Sequence, residues 1–63
     1  MKNWIGTKDG RVFVTHADDV DTAYLNIGEL MNGFRADDPG DVDLDFMAEL
    51  PPTNTATLEL KQL

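Results

Sequence analysis

Apolar residues change rhythm twice along this chain. From Asp18 to Phe34, D-D-V-D-T-A-Y-L-N-I-G-E-L-M-N-G-F, the residues Val20, Ala23, Tyr24, Ile27, Leu30, Met31 and Phe34 recur at gaps of three, one, three, three, one and three. That spacing sets them on one helical stripe. Asp18, Asp19 and Asp21 fall in or just before the first turn, where negative charge suits the positive end of the peptide dipoles, and Gly33 supplies a left-handed stop. Thr15, with an acid three residues on, competes with Asp18 and Asp19 as the cap. Gly28 interrupts the stripe at a cost of about 1 kcal/mol relative to alanine. Either it faces solvent or another backbone comes close to it.

On both sides of the helix the period drops to two. K-N-W-I-G-T and V-F-V-T, joined by K-D-G-R, predict a β-hairpin over residues 2–15 that turns at Asp9-Gly10. Thr7 then faces Val12, Gly6 faces Phe13, Ile5 faces Val14 and Trp4 faces Thr15. The pleat sorts Ile5, Val12 and Val14 to one side, expected beneath the helix, and Trp4, Phe13, Lys8 and Arg11 to the other.

After the turn-rich R-A-D-D-P-G, residues 41–50 alternate again, with Val42, Leu44, Phe46, Ala48 and Leu50 opposite Asp41, Asp43, Asp45, Met47 and Glu49. This reads as a third strand; a short helix from Leu44 to Leu50, capped by Asp43 and stopped by Pro51, competes with it. P-P-T-N then leads to T-A-T-L-E-L-K-Q-L, a last strand with Ala56, Leu58 and Leu60 inward. The expected fold is α+β, one small domain over residues 1–63: a four-stranded antiparallel sheet of two hairpins with one amphipathic helix, in ββαββ order. Its expected core holds Ile5, Val12, Val14, Val20, Tyr24, Ile27, Leu30, Met31, Val42, Leu44, Phe46, Leu58 and Leu60.

Size then limits function. A chain of 63 residues buries only about 60% of the surface its unfolded form exposes, so a deep enclosed active site is not expected. Absence of cysteine fits a reducing compartment. M-K-N-W-I-G lacks the apolar run of a signal peptide, and no run of eighteen apolar residues occurs; the expectation is a soluble, cytoplasmic protein with no membrane contact.

Charge changes the picture more than size does. The formal net charge is -7, yet residues 16–50 hold ten acids (Asp18, Asp19, Asp21, Glu29, Asp37, Asp38, Asp41, Asp43, Asp45, Glu49) against Arg35 alone, while residues 1–15 are net positive. This argues against nucleic acid as a direct ligand of that region. On a strand, Asp41, Asp43 and Asp45 would stand about 6.8 Å apart on one face, close to two base steps of a duplex at about 3.4 Å each. A row of carboxylates would then replace a row of phosphates. Asp37, Asp38, Asp41, Asp43, Asp45 and Glu49 form the expected partner-binding acidic face, with Asp18, Asp19 and Asp21 as a second cluster. The same charges also serve solubility and guard an edge strand.

Candidate chemistry is sparse. His16 is the single histidine, and with no cysteine or serine in the chain neither a Ser-His nor a Cys-His pair can be assembled. D-V-D-L-D-F is similar to the start of an EF-hand loop, but Phe46 occupies the position that needs glycine and Pro52 the one that needs a bidentate glutamate. No catalytic residue, metal or cofactor is assigned, and the expectation is a protein that is not an enzyme. Trp4 and Phe13, near Lys2, Lys8 and Arg11, form a candidate self-association surface, so monomer and homodimer both stay open.

In size, acidity and lack of catalytic residues the chain resembles the class of small inhibitors made by phages and mobile elements, among them nucleic-acid mimics such as some anti-CRISPR and anti-restriction proteins. The resemblance implies an acidic inhibitor that occupies the channel of a basic nucleic-acid-binding effector through charge complementarity. The alternative is a small non-enzymatic interaction or assembly module whose acidity serves solubility.

Overall fold

Asp9 and Gly10 turn the chain with φ of 51° and 80°, the positive values that a two-residue type I′ turn asks of both central positions. In the computed structural model, which describes residues 1–51, this turn joins β1 (Lys2–Lys8) to β2 (Arg11–Ala17). The register is the expected one, Thr7 with Val12 through Trp4 with Thr15, and it continues to Lys2 with Ala17. Thr15 lies inside β2 and is not a helix cap. That role belongs to Asp19, whose carboxylate accepts the Thr22 backbone N–H at 2.8 Å at the start of α1 (Val20–Asn32). The helix ends where Gly33 adopts φ 84° and donates its N–H to the Glu29 carbonyl at 2.9 Å.

A single 3-10 turn, Pro39–Asp41, follows, with the Asp38 side chain accepting the Gly40 N–H at 3.0 Å. The third strand, β3 (Phe46–Leu50), pairs antiparallel with the outer edge of β1, so the sheet order is β2-β1-β3 and the first strand is central. The described fold is therefore α+β, one helix on a three-stranded antiparallel sheet. The expected fourth strand, with Ala56, Leu58 and Leu60, lies outside the described residues. The competing helix over 44–50 does not form.

Two expectations are corrected. The first concerns which face of the sheet the helix covers. A methyl group added at Gly6 would stand 2.9 Å from Ile27 Cδ1 and 3.1 Å from Leu44 Cδ1, so the helix packs on the side of Gly6 and Trp4. Trp4, Ala17 and Ala23 form the buried cluster, with Met47 against it, and the Trp4 indole donates to the Ala17 carbonyl at 3.0 Å. Val12 and Val14, expected beneath the helix, are 53% and 43% exposed on the far face. The choice follows from shape: Gly6, Ala17 and Ala23 let backbones approach, and the indole N–H finds a carbonyl in the dry layer.

The second concerns the alternating run over 41–50. Its strand begins only at Phe46, and the alternation hides a change of face. Val42 is buried and Leu44 points toward Gly6 on the helix side, whereas Phe46 lies beside Thr7 on the opposite face and is 55% exposed. Along α1 only Ala23, Ile27 and Gly28 are buried, so the covered part of the stripe is its middle. Val20, Leu30 and Phe34 remain exposed and Tyr24 and Met31 half-buried, contrary to the expected core. A methyl added at Gly28 would meet Val42 Cγ2 at 2.7 Å. Gly28 thus marks a close approach, where the chain between helix and β3 seats against α1.

Candidate functional site

The expected ladder of Asp41, Asp43 and Asp45 on one strand face does not exist. Asp41 closes the 3-10 turn, and Asp43 and Asp45 precede β3 in irregular chain. Lys8 Nζ approaches Asp43 Oδ2 at 2.9 Å and Asp45 Oδ1 at 3.7 Å. Asp45 also accepts the Asp9 N–H at 2.9 Å and donates its own backbone N–H to the Thr7 carbonyl at 2.8 Å. These two carboxylates fasten the chain before β3 to the tip of the first hairpin. Their pull holds the Lys8 ammonium above its usual range, first through the hydrogen bond to Asp43 and then through the charges of Asp43, Asp45 and Asp9.

Other acids are also engaged locally. Glu29 meets Arg35 at 3.1 Å, and Glu49, beside Trp4 on β3, lies 3.9 Å from Lys2. Asp19 is held below the usual carboxylate range, chiefly by the Thr22 backbone N–H it accepts and further by the Thr22 hydroxyl. The remainder, Asp18, Asp21, Asp37, Asp38 and Asp41, are exposed and face no basic side chain within ion-pair distance among the described residues.

The fold brings part of this remainder together. Asp21 from the first turn of α1 and Asp38 from the 3-10 cap line one open depression of about 510 Å³, floored by Tyr24, Pro39, Gly40 and Val42. Asp41 lines a neighbouring one of about 350 Å³ with Lys8, Asp9, Arg11, Met31, Asn32 and Asp43. One acid from each of two clusters that are separate in sequence thus lines the same depression, where Val42 seats on Gly28 and the 3-10 turn lies against the helix.

Trp4 and Phe13 do not form an exposed self-association surface. Trp4 is buried, and Phe13 is half-buried with the Arg11 guanidinium 4.9 Å above its ring. His16 sits within β2, its carbonyl accepting the Asn26 amide at 3.1 Å. The surface that sequence reasoning missed is the face of the sheet away from the helix. Register stacks it in three rows: Val12, Thr7 and Phe46; Val14, Ile5 and Ala48; His16, Asn3 and Leu50. It carries no aspartate, glutamate, lysine or arginine, since by the pleat Lys2, Lys8, Arg11 and Glu49 all fall on the helix side. The signal was present in the alternation itself, which grouped Ile5, Val12 and Val14 but assigned them to the covered face.

Among the described residues no helix is long and apolar enough to cross a membrane. No protein family, curated protein or solved structure matches this chain.

Proposed function

We propose that this chain is a non-enzymatic acidic protein that binds a basic surface on another protein, of the kind that otherwise receives nucleic acid, and inhibits by occupying it. The observation that carries this reading is the pair of uncompensated carboxylates Asp21 and Asp38, brought from two segments to one depression, with Asp41 lining a second. Mounted on a capped helix and a capped 3-10 turn, they present a fixed negative field. Such a field steers a basic partner into place and raises the association rate. With Asp43 and Asp45 drawn off to Lys8, the complementarity is that of a charged patch and not of a phosphate-spaced row.

The test begins with capture of partners from a bacterial lysate and continues with the recovered protein. Binding should weaken steeply with salt, because exposed charges are screened over about 8–10 Å at physiological ionic strength, and duplex DNA should compete for the same surface. Asp21→Asn, Asp38→Asn and Asp41→Asn together should slow association while keeping the fold, since asparagine at 38 still offers an oxygen to the Gly40 N–H. A partner that binds the triple variant unchanged, or that ignores duplex DNA, refutes the proposal. A second reading, a self-assembling module whose acidity serves solubility, is favoured by a separate feature, the uncharged sheet face.

A further inference from the structure

We propose that Asn32 is a site of spontaneous covalent modification, converted through a cyclic succinimide to aspartate and isoaspartate at a rate set by the opening of the helix C-terminus. Sequence supplies the chemistry. Asparagine is among the chemically labile side chains, and in Asn32-Gly33 the following residue has no side chain to shield its backbone nitrogen. That nitrogen loses its proton to base and bonds to the Asn32 Cγ, the Cγ–Nδ2 bond breaks, and the amide group leaves as ammonia with a proton from solvent. Water then opens the ring. Cleavage of the bond from the Gly33 nitrogen to Cγ gives aspartate, and cleavage of its bond to the Asn32 backbone carbonyl carbon gives isoaspartate. One water is consumed and one ammonia released, and either product adds a negative charge.

The fold singles out this asparagine. Asn3 is buried in β1 and followed by Trp4. Asn26 lies inside α1 before the β-branched Ile27, its amide donating to the His16 carbonyl at 3.1 Å and accepting from Arg35 at 2.9 Å. Asn54, outside the described residues, precedes the β-branched Thr55. Asn32 is exposed at the last position of the helix, and a Cβ built on Gly33 would meet nothing within 4 Å. Base and water therefore have access to the reacting pair.

Closed, the helix end holds the reaction back. A helical ψ of about −42° turns the Gly33 nitrogen away from the Asn32 side chain, and the proton it must lose is donated to the Glu29 carbonyl at 2.9 Å. The last turn is weakly held, however. Beyond Gly28, Glu29, Leu30 and Asn32 are exposed and Met31 is half-buried, and helix ends of this kind open without the rest of the molecule. Arg35 supplies the tie: one guanidinium nitrogen donates to Asn26 Oδ1 at 2.9 Å and to Glu29 Oε1 at 3.1 Å, drawing the chain after Gly33 back across the turn. The reaction runs from the open form, so its rate follows the open fraction. Isoaspartate adds a carbon to the main chain where the Gly33 N–H must meet the Glu29 carbonyl, and the cap cannot close as before. The new carboxylate joins the depression that Asn32 lines with Lys8, Arg11 and Asp41.

Incubating the full chain in mildly alkaline buffer, with and without denaturing guanidinium chloride, tests this. Each conversion adds about 1 Da, and fragmentation of the intact chain in a mass spectrometer places it. In the folded chain Asn32 should convert ahead of Asn3, Asn26 and Asn54, at least tenfold more slowly than in denaturant. The slowing should nevertheless be smaller than the folded-to-unfolded ratio from equilibrium unfolding, since the last turn opens alone. Arg35→Ala should raise the folded rate about two- to fivefold, the range of an exposed ion pair, and leave the denatured rate unchanged. Gly33→Ala, compared in denaturant where the cap plays no part, should slow Asn32 at least tenfold. The proposal is overturned if another asparagine converts first, or if folded and denatured rates agree. It is equally overturned if the slowing matches the full unfolding ratio, or if Arg35→Ala leaves the folded rate at the parent value.

Discussion

Replacing Gly28 with alanine sets two effects against each other. In an open helix interior the change stabilises by about 1 kcal/mol, because glycine loses more backbone freedom on folding. Here the new methyl would stand 2.7 Å from Val42 Cγ2 and 3.2 Å from Cγ1, well inside the roughly 3.5–4.0 Å of ordinary carbon contacts. Val42 cannot swing clear. It is β-branched and stiff, 6% exposed, and its N–H is tied to the Pro39 carbonyl at 3.1 Å. Overpacking of this kind costs about 1–3 kcal/mol, so the parent should be destabilised by roughly 0–2 kcal/mol despite the better helix former. The sharper readout is a double-mutant cycle with Val42→Ala. There the nearest remaining side-chain atom of residue 42, its Cβ, lies at an ordinary 3.5 Å, and alanine at 28 should recover its gain of about 1 kcal/mol. Urea unfolding of the four proteins should give a coupling of about 1–3 kcal/mol. Additivity, or stabilisation of the parent by alanine at 28, would show that the chain after the helix is not seated on Gly28.

Further outcomes follow from the same packing. Ile27→Ala should cost about 2–5 kcal/mol and Leu30→Ala less than about 0.5 kcal/mol in urea unfolding; equal losses would mean that the helix is rotated from its described position. Trp4→Phe removes the donor to the Ala17 carbonyl and should cost about 1–3 kcal/mol, and an unchanged melting temperature would take that hydrogen bond out of the core. Asp19, held low by Thr22, contributes stability above its unfolded value near pH 4 and loses it as pH falls through the folded value. Lys8 is raised above 10.5, so its contribution is complete below that value and is lost as pH rises through the folded one. Urea midpoints across pH should lose the acid limb in Asp19→Asn and the alkaline limb in Lys8→Met, and a limb that survives its own substitution counts against that assignment.

The helix and the first hairpin were legible because each is written in local terms: a stripe of period 3.6 with an aspartate before it and a glycine after it, and an Asp-Gly turn that sets every pair in the register. The covered face was not legible from hydropathy. Ile5, Val12 and Val14 outweigh Gly6, Ala17 and Ala23 on any apolar scale, yet close packing needs small residues, and a tryptophan is buried well once its N–H has a carbonyl. The run from Asp41 to Leu50 misled for a different reason. Its alternation is unbroken in sequence, but Asp45 is held from outside by Thr7, Asp9 and Lys8, and that long-range anchor ends one inward set at Leu44 and starts an outward one at Phe46. Of the acidic face, the two clusters were readable as charge. Their meeting across Tyr24 depends on Val42 finding the gap at Gly28, which no local pattern announces.

Because β1 is both the first strand in the chain and the middle strand of the sheet, assembly has an order. Its inner partner arrives across a two-residue turn, whereas its outer partner comes from the far end of the described chain, with Asn3 paired to Leu50 and Thr7 to Phe46. Closing that longer loop costs more chain entropy, so hairpin and helix can form before β3 docks. Until β3 docks, β1 presents a row of unpaired backbone N–H and C=O groups, the edge geometry that templates strand addition between chains. Thr7, Lys8 and Asp9, which hold Asp43 and Asp45 at the end of that loop, thereby help to close that edge.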